Sequence, residues 1–304
     1  MGSSGIDRSL PVARFFARVL RDCLARPDMG RRAGEGRMRR IGWLGRMLAL
    51  ALVAGTPAGA AWAADLFVMS SGAFTGAYHL LAPEFEKRTG HKLHYTYGTS
   101  MGSAPEAMPS RLKRGEPADV LILVGSQLEP LMQQGYAVPG SKTDLAISRI
   151  GVVTRADLPK PDIGSVGAVR TALLAAPSIG YSASASGTYY ASEMVQRLGI
   201  AEQVLPKSKR IGGGERVASA VARGDVALGL QQVSEITEVL QGPDGAKLTY
   251  VGPLPEDLQQ IIEISAGLAT ASREPAVARE FIAFLRSPDA QAKLKQVGLD
   301  PIVK

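Results

Sequence analysis

Short apolar runs alternate with amphipathic stretches from Leu66 to Val297, and the alternation sets an architecture before any single residue is considered. Leu66 to Met69 and Val120 to Leu123 are continuous apolar runs, as in strands covered on both faces. Lys92 to Tyr97 alternates polar and apolar positions, and Arg149 to Thr154, Ser178 to Tyr181, Lys207 to Ile211, Val226 to Leu230 and Leu248 to Val251 complete the predicted strands. Helical spacing lies between them. Phe74, Tyr78, Leu81 and Phe85 share one face of a helix that Gly90 ends. Further helices are predicted over Gln127 to Gln134, Val166 to Ala175, the turn after Ser182 to Leu198, Glu215 to Gly224, Pro275 to Ser287 and Asp289 to Val297. Pro105 and Pro109 make the helix before Gly115 irregular.

Strands alternating with helices predict an α/β protein with mostly parallel sheets. In such sheets ligands sit beyond the carboxyl ends of the strands. Three of those ends run through small hydroxyl or glycine residues into a helix: Ser70-Ser71-Gly72-Ala73, Gly98-Thr99-Ser100-Met101-Gly102, and Ser182 to Thr188 with Ser186 and Gly187 at its centre. A fourth, Gly212-Gly213-Gly214, is glycine alone and lacks the Lys-Ser/Thr pair of a phosphate loop. Free backbone N–H groups and the positive end of a helix dipole make such turns anion cradles. Ser and Thr are also ordinary helix caps, so it is the repetition that points to a ligand. Gln231 and Gln232 stand at the end of the Val226 to Leu230 run.

The segment before Ala64 changes the reading of charge. Arg39, Arg40 and Arg46 precede an uncharged run from Met47 to Ala64 closed by Ala61-Trp62-Ala63, the pattern of a secretory leader with cleavage near Ala64. Gly55, Pro57 and Gly59 interrupt the run, which argues against a permanent membrane helix, and a start at Met38 would remove the Arg-rich residues 1 to 37. The formal charge of +7 comes from 35 basic and 28 acidic residues, and the first 63 residues carry 11 of the former and 4 of the latter. The remaining 24 of each leave a neutral chain with no call for a nucleic-acid partner. Cys23, the only cysteine, also lies there, so no disulfide, thiol nucleophile or Cys metal site is expected afterwards.

In order, the first-turn serines, the Phe85-x-x-x-Thr-Gly90 helix end, Gly98-Thr-Ser100, Gly115-Glu-Pro-Ala-Asp119, Ser186-Gly-Thr-Tyr and Arg223-Gly-Asp-Val-Ala-Leu-Gly229 make the chain from Ala64 to Lys304 resemble the molybdate-binding type of periplasmic solute-binding protein. The resemblance implies a type II periplasmic binding protein fold of two α/β lobes joined by two crossings. Lobe 1 would be residues 64–147 plus 254–304 and lobe 2 residues 148–253, after an N-terminal extension and leader over 1–63. It also implies a monomer that delivers a small oxyanion to the permease of an ABC importer, with no cofactor, no metal ion and no catalysis. Ser100 matches a ligand hydroxyl of that family and Ser186 its lobe 2 turn. Ala73 stands where the family has its first-turn serine, Gln232 where it has a tyrosine, Gly214 where it has a valine, and about five extra residues separate Ser100 from Gly115. These departures enlarge the expected pocket and open the alternative of a small organic carboxylate.

Other residues are given ordinary roles. His91 and His94 are three apart on a strand and face opposite sides. His79 and Arg216 read as surface, Asp119 as a local turn acceptor, and Tyr97, Tyr189 and Tyr190 either as pocket walls or as core. The chain shows no carboxylate pair or His cluster, so an enzyme on this fold is the rival reading and a ligand-free sensor a third.

Overall fold

The computed structural model describes residues 63–302, so the expected leader and its cleavage site fall largely outside the described residues. Two sheets carry the fold. The first has six strands in the order β11-β4-β10-β3-β1-β2, formed by β1 (Asp65–Ser70), β2 (Lys92–Tyr97), β3 (Val120–Val124), β4 (Thr143–Ser148), β10 (Ile262–Leu268) and β11 (Asp300–Pro301). The second has five in the order β7-β6-β8-β5-β9, formed by β5 (Ile150–Arg155), β6 (Ile179–Ser182), β7 (Ser208–Ile211), β8 (Leu228–Gln232) and β9 (Leu248–Pro253).

Each sheet is covered on both faces, and β3 shows why its sequence is apolar throughout. Val120, Ile122 and Val124 enter a core with α1 (Thr75–Thr89), while Leu121 and Leu123 enter the opposite core with α2 (Met108–Lys113) and α3 (Leu128–Gln133). In the second sheet Val152 and Leu230 pack beneath α4 (Val166–Ala175), and Val153 packs under α6 (Val217–Arg223). Between α4 and α6, α5 (Ala185–Tyr189) continues through a π turn at Tyr190–Met194 to Arg197. Behind β8, α7 (Val233–Leu240) follows directly, and α8 (Pro275–Leu285) with α9 (Pro288–Lys293) closes the first lobe. Among the described residues no helix is long and apolar enough to cross a membrane.

The sheets are mixed rather than mostly parallel. The pairs β1–β2, β1–β3, β6–β7 and β6–β8 are parallel, whereas β3–β10, β10–β4, β4–β11, β5–β8 and β5–β9 are antiparallel. The reason lies at the crossings: β10 and β5, the strands that receive the chain from the other sheet, run against the βαβ direction and pair antiparallel with their neighbours on both sides. Arg149 alone separates β4 from β5, and Leu254 to Ile261 separate β9 from β10. Gln259 ties the two crossings together, its Oε1 accepting from the Ile150 N–H at 2.7 Å and its Nε2 donating to the Ile150 carbonyl at 3.0 Å. Arg149 adds bonds from Nε to Asp300 at 2.9 Å and from Nη1 to Glu256 at 2.6 Å.

Candidate functional site

The carboxyl ends of β1, β2 and β3 in one lobe face those of β6 and β8 in the other, and the lobes touch on two sides of the cleft. On one side Ala185, at the start of α5, packs against the lobe 1 core. On the other, α7 lies against α1 and the Gly72–Phe74 turn, and Gln241 Nε2 donates to the Gln296 carbonyl at 3.0 Å. A cavity of about 490 Å³ opens between Met101, Val124 and Ser126 of lobe 1, Thr188 and Glu193 of lobe 2, and the Gln260–Glu263 stretch where the second crossing enters β10. Its size is ordinary for a small-molecule site.

The hydroxyl turn of lobe 2 forms a closed nest. Ser182 Oγ lies 2.8 Å from Ser184 Oγ and 2.9 Å from Ser186 Oγ, and it accepts from the Gly187 N–H at 3.2 Å. Gly187 is needed for this approach, since a Cβ there would stand 1.7 Å from the Ser182 carbonyl oxygen. Thr188 Oγ1 donates to the Ser184 carbonyl at 3.1 Å. In lobe 1, Ser100 Oγ accepts from the Val124 N–H at 3.2 Å, Thr99 Oγ1 donates to the Met101 carbonyl at 2.9 Å, and Ser70 Oγ donates to the Ser71 carbonyl at 3.2 Å. Ser71 Oγ is buried without a partner, and Ala73 joins the lobe 1 core.

The charged group of the lobe contact, apart from the residues that line the cavity, is Arg216, expected on the surface and found buried. It stands at the N-cap of α6, and its side chain is only 11 % exposed. Nη1 donates to Glu235 Oε1 at 3.0 Å and Nη2 to Glu238 Oε2 at 2.8 Å, both carboxylates being on α7. The same guanidinium reaches lobe 1. It donates to Tyr97 Oη at 3.3 Å and Thr75 Oγ1 at 3.3 Å, and it lies over the Tyr97 ring, 5.1 Å from its centroid. Gly72 makes room: a Cβ there would stand 2.1 Å from Glu235 Oε1 and 2.4 Å from Arg216 Nη1. Gly214, left-handed at φ 82°, makes room for the Tyr97 ring in the same way, while Gly213 at φ 66° has open space around it.

The cause of this burial is the capping of α6. Gln231 Oε1 accepts from the Val217 N–H at 2.7 Å and from the Ala218 N–H at 3.4 Å. Those amides are therefore not free for an anion, and the helix starts at Val217 rather than at Glu215. The cap sets α6 beside α7, with the buried Gln232 as the N-cap of the latter. Burial pushes the Glu235 carboxyl up from its ordinary value against the pull of Arg216. Burial also opposes the Arg216 charge, but the two carboxylates hold its pKa above the usual arginine value. Glu235 is 4 % exposed, and its Oε2 has no hydrogen-bond partner.

The family described as bacterial extracellular solute-binding protein matches residues 66–300. The chain belongs to that family. An aconitate isomerase from Pseudomonas sp is 37% identical over 252 residues, covering 83% of this chain and 94% of the relative. The molybdate-binding protein ModA of Rhodobacter capsulatus is 28% identical over 254 residues, covering 82% and 93%. The solved periplasmic molybdate-binding protein of Azotobacter vinelandii superposes with a TM-score of 0.58 at 24% identity, covering 77% of this chain and 98% of that one. These likenesses agree with the two-lobe type II periplasmic binding protein fold.

Within this solute-binding fold, the expected site residues fall into separate groups. Gly72 and Gly214 meet across the lobes around Arg216 and Tyr97, with Gln232 at the head of the helix that carries Glu235. Ser186 and Gly187 belong to the nest, Thr188 lines the cavity, and Thr99 and Ser100 bond within lobe 1. Glu235 and Glu238 were not foreseen. Their i, i+3 spacing directly after Gln231-Gln232 is the signal that could have found them. Tyr189 and Tyr190 are both buried in the lobe 2 core, and Tyr189 also borders the cavity. Asp119 is a fastener, accepting from the Phe67 N–H at 2.8 Å, Ser272 Oγ at 2.7 Å and the Arg273 N–H at 2.8 Å. His91 and His94 serve different partners, the former accepting from the Ala64 N–H at 3.0 Å and the latter 2.7 Å from Asp65. Among the described residues no group of three His, Cys, Asp or Glu side chains is placed to hold a metal ion.

Proposed function

We propose that this chain takes a small organic polycarboxylate into its interlobe cleft and isomerises it, with aconitate as the substrate. The observation that carries the reading is the buried Arg216 guanidinium, which touches both lobes where the turns at Gly72 and Gly214 meet. A planar guanidinium suits a carboxylate, which it can hold through two parallel N–H bonds, better than it suits a tetrahedral oxyanion cradled by neutral donors. The 37% identity to an aconitate isomerase over 94% of that relative supports the same substrate and extends the reading from binding to chemistry. Ala73 and Gln232, in place of the serine and tyrosine expected of a molybdate-binding protein, take away two hydroxyls that a tetrahedral oxyanion would use.

A receptor for a molybdate-like oxyanion is the second reading. The Ser182, Ser184 and Ser186 hydroxyls and the 28% identity to a molybdate-binding protein favour it. Neutral donors suffice for such a ligand: charge-assisted bonds of about 1.5–3 kcal/mol each reach the roughly 8 kcal/mol of a micromolar complex with a handful of contacts. In either case the protein acts in the periplasm as a monomer released by cleavage near Ala64. On the second reading it hands its ligand to an importer.

The test is calorimetric titration of the purified protein with trans-aconitate, with the saturated tricarboxylate tricarballylate, and with molybdate and tungstate, alongside proton NMR of cis-aconitate incubated with the protein. Tight binding of the tricarboxylates and growth of the second aconitate isomer are expected. Binding confined to molybdate and tungstate, with aconitate unchanged, would replace this reading by the second.

A further inference from the structure

We infer that Glu235 is the group that moves the proton in this cleft, and that Arg216 frees it to do so by exchanging a protein carboxylate for one on the substrate. The inference rests on the isomerase reading above. It starts from a local asymmetry: Oε1 of Glu235 is held by Arg216 at 3.0 Å, while Oε2 is buried with no partner at hydrogen-bond distance, the Gln231 side chain being the neutral neighbour that favours its ionised form. A buried carboxylate oxygen without a donor costs free energy that folding elsewhere must offset, and such groups occur where a ligand or a reaction uses them. Glu235 also stands three residues beyond the carboxyl end of β8, where ligands of open α/β sheets bind.

Other proton-transfer groups near the cleft fit the role less well. Glu193 is exposed on the π turn after α5 and lines the cavity, and Glu263 is exposed and lies 3.6 Å from Lys142 Nζ. Glu238 takes the opposite edge of the guanidinium and is partly solvated. His79, His91 and His94 lie on α1, before β2 and on β2, the first exposed and the other two engaged with Ala64 and Asp65. Among the described residues Glu235 alone is a carboxylate that combines burial in the lobe contact with an oxygen lacking a partner at hydrogen-bond distance.

The chemistry balances without oxidant, water or cofactor. Aconitate carries a methylene group on one side of its carbon–carbon double bond. Glu235 takes a proton from the methylene carbon; the C–H bond breaks, and its electron pair spreads over the three-carbon system and the adjoining carboxylate. The same oxygen then returns the proton to the carbon that was vinylic, so a new C–H bond forms there and the double bond moves over by one carbon. The rotamer at the former methylene fixes whether the new double bond is cis or trans. A guanidinium bound to the substrate carboxylate stabilises the charge that develops on it. Glu235 accordingly works as base and then as acid within one turnover, a role suited to a carboxyl whose burial favours the neutral form.

The test follows cis-aconitate by proton NMR with the full-length protein and its E235Q and E235D variants, with tricarballylate binding as the measure of an intact site. E235Q is expected to lose 10²- to 10⁴-fold in kcat while binding tricarballylate within about threefold of wild type, and E235D to recover part of the loss, in line with general acid–base contributions. Wild-type kcat should rise with pH along an acid limb above the ordinary carboxyl value of 4.5, because the base must be ionised and burial holds its proton on. The charged and titratable groups facing it are Arg216 at the start of α6, Glu238 on α7 and Tyr97 of β2. E235Q with more than a tenth of wild-type kcat overturns the inference while leaving the isomerase reading standing. A wild-type protein inert on aconitate overturns that reading instead. Should E235Q fail to fold, E235D with unchanged kcat and pH profile overturns the inference on its own.

Discussion

Two regions of lobe 2 face the cleft, and they solve the problem of buried polarity in opposite ways. The nest around Ser182 is neutral and satisfied internally, with hydroxyl pairs at 2.8 and 2.9 Å and a backbone N–H on the shared oxygen. The Arg216–Glu235–Glu238 cluster is charged, bridges to lobe 1, and leaves one carboxylate oxygen without a donor. A ligand meeting the nest must break existing bonds and gains only the difference. At the charged cluster it meets a group already unsatisfied. On the reading proposed above the nest is scaffold and the charged cluster carries the chemistry, although the hydroxyls are the more visible of the two in the sequence.

Replacing the cation attacks that division most severely. R216M keeps much of the side-chain bulk but strands Glu235, 4 % exposed, in the lobe contact. Losing one member of a buried pair costs about 3–5 kcal/mol near neutral pH. The sign of its pH dependence follows from Glu235. Its folded pKa is raised, so it favours folding most below its unfolded value, and stability falls as pH climbs through the folded value. Arg216 lowers that pKa, so its loss raises it further, and the deficit of R216M relative to wild type should grow from acid toward neutral pH. Urea unfolding at several pH values measures this. A deficit that is the same at acid and neutral pH would mean that Glu235 is not the group left stranded.

A somewhat smaller effect is expected where the nest meets the backbone. G187A places a methyl group 1.7 Å from the Ser182 carbonyl oxygen, and the clash is with main chain rather than with the tip of a side chain. The helix must move off the strand, at a cost of about 3 kcal/mol by the usual scale of overpacking. Its unfolding midpoint should shift equally at all pH values, in contrast to R216M. A pH-dependent shift would mean that the nest and the charged cluster are coupled.

The contrast also marks what was legible in the sequence. The strand-to-helix turns were readable because Gly and Ser punctuate them, and the doubly covered β3 because its apolar run is unbroken. β4 and β10 escaped notice: Asp144 and Glu263 interrupt their apolar pattern, and both strands run antiparallel beside the crossings rather than within a βαβ unit. Arg216 looked like a surface residue because its partners lie 19 and 22 positions further on and meet it only once Gln231 caps α6 beside α7. Local pattern shows where a backbone turns. It does not show which side chains two adjacent helices press together.

The smallest effect is expected within the nest itself. S186A removes one neutral hydroxyl pair at 2.9 Å and leaves Ser182 Oγ with Ser184 Oγ and the Gly187 N–H. The stability cost should be about 1 kcal/mol, the net value of an ordinary hydrogen bond. The same reasoning limits its effect on the ligand, because a hydroxyl that must leave Ser182 to reach a carboxylate returns only part of the new bond. Calorimetry with tricarballylate should therefore show affinity lowered by less than about fivefold, under 1 kcal/mol. A loss of a hundredfold would mean that the nest opens on binding and that Ser186 grips the ligand directly, which would move the centre of recognition from Arg216 to the hydroxyl turn.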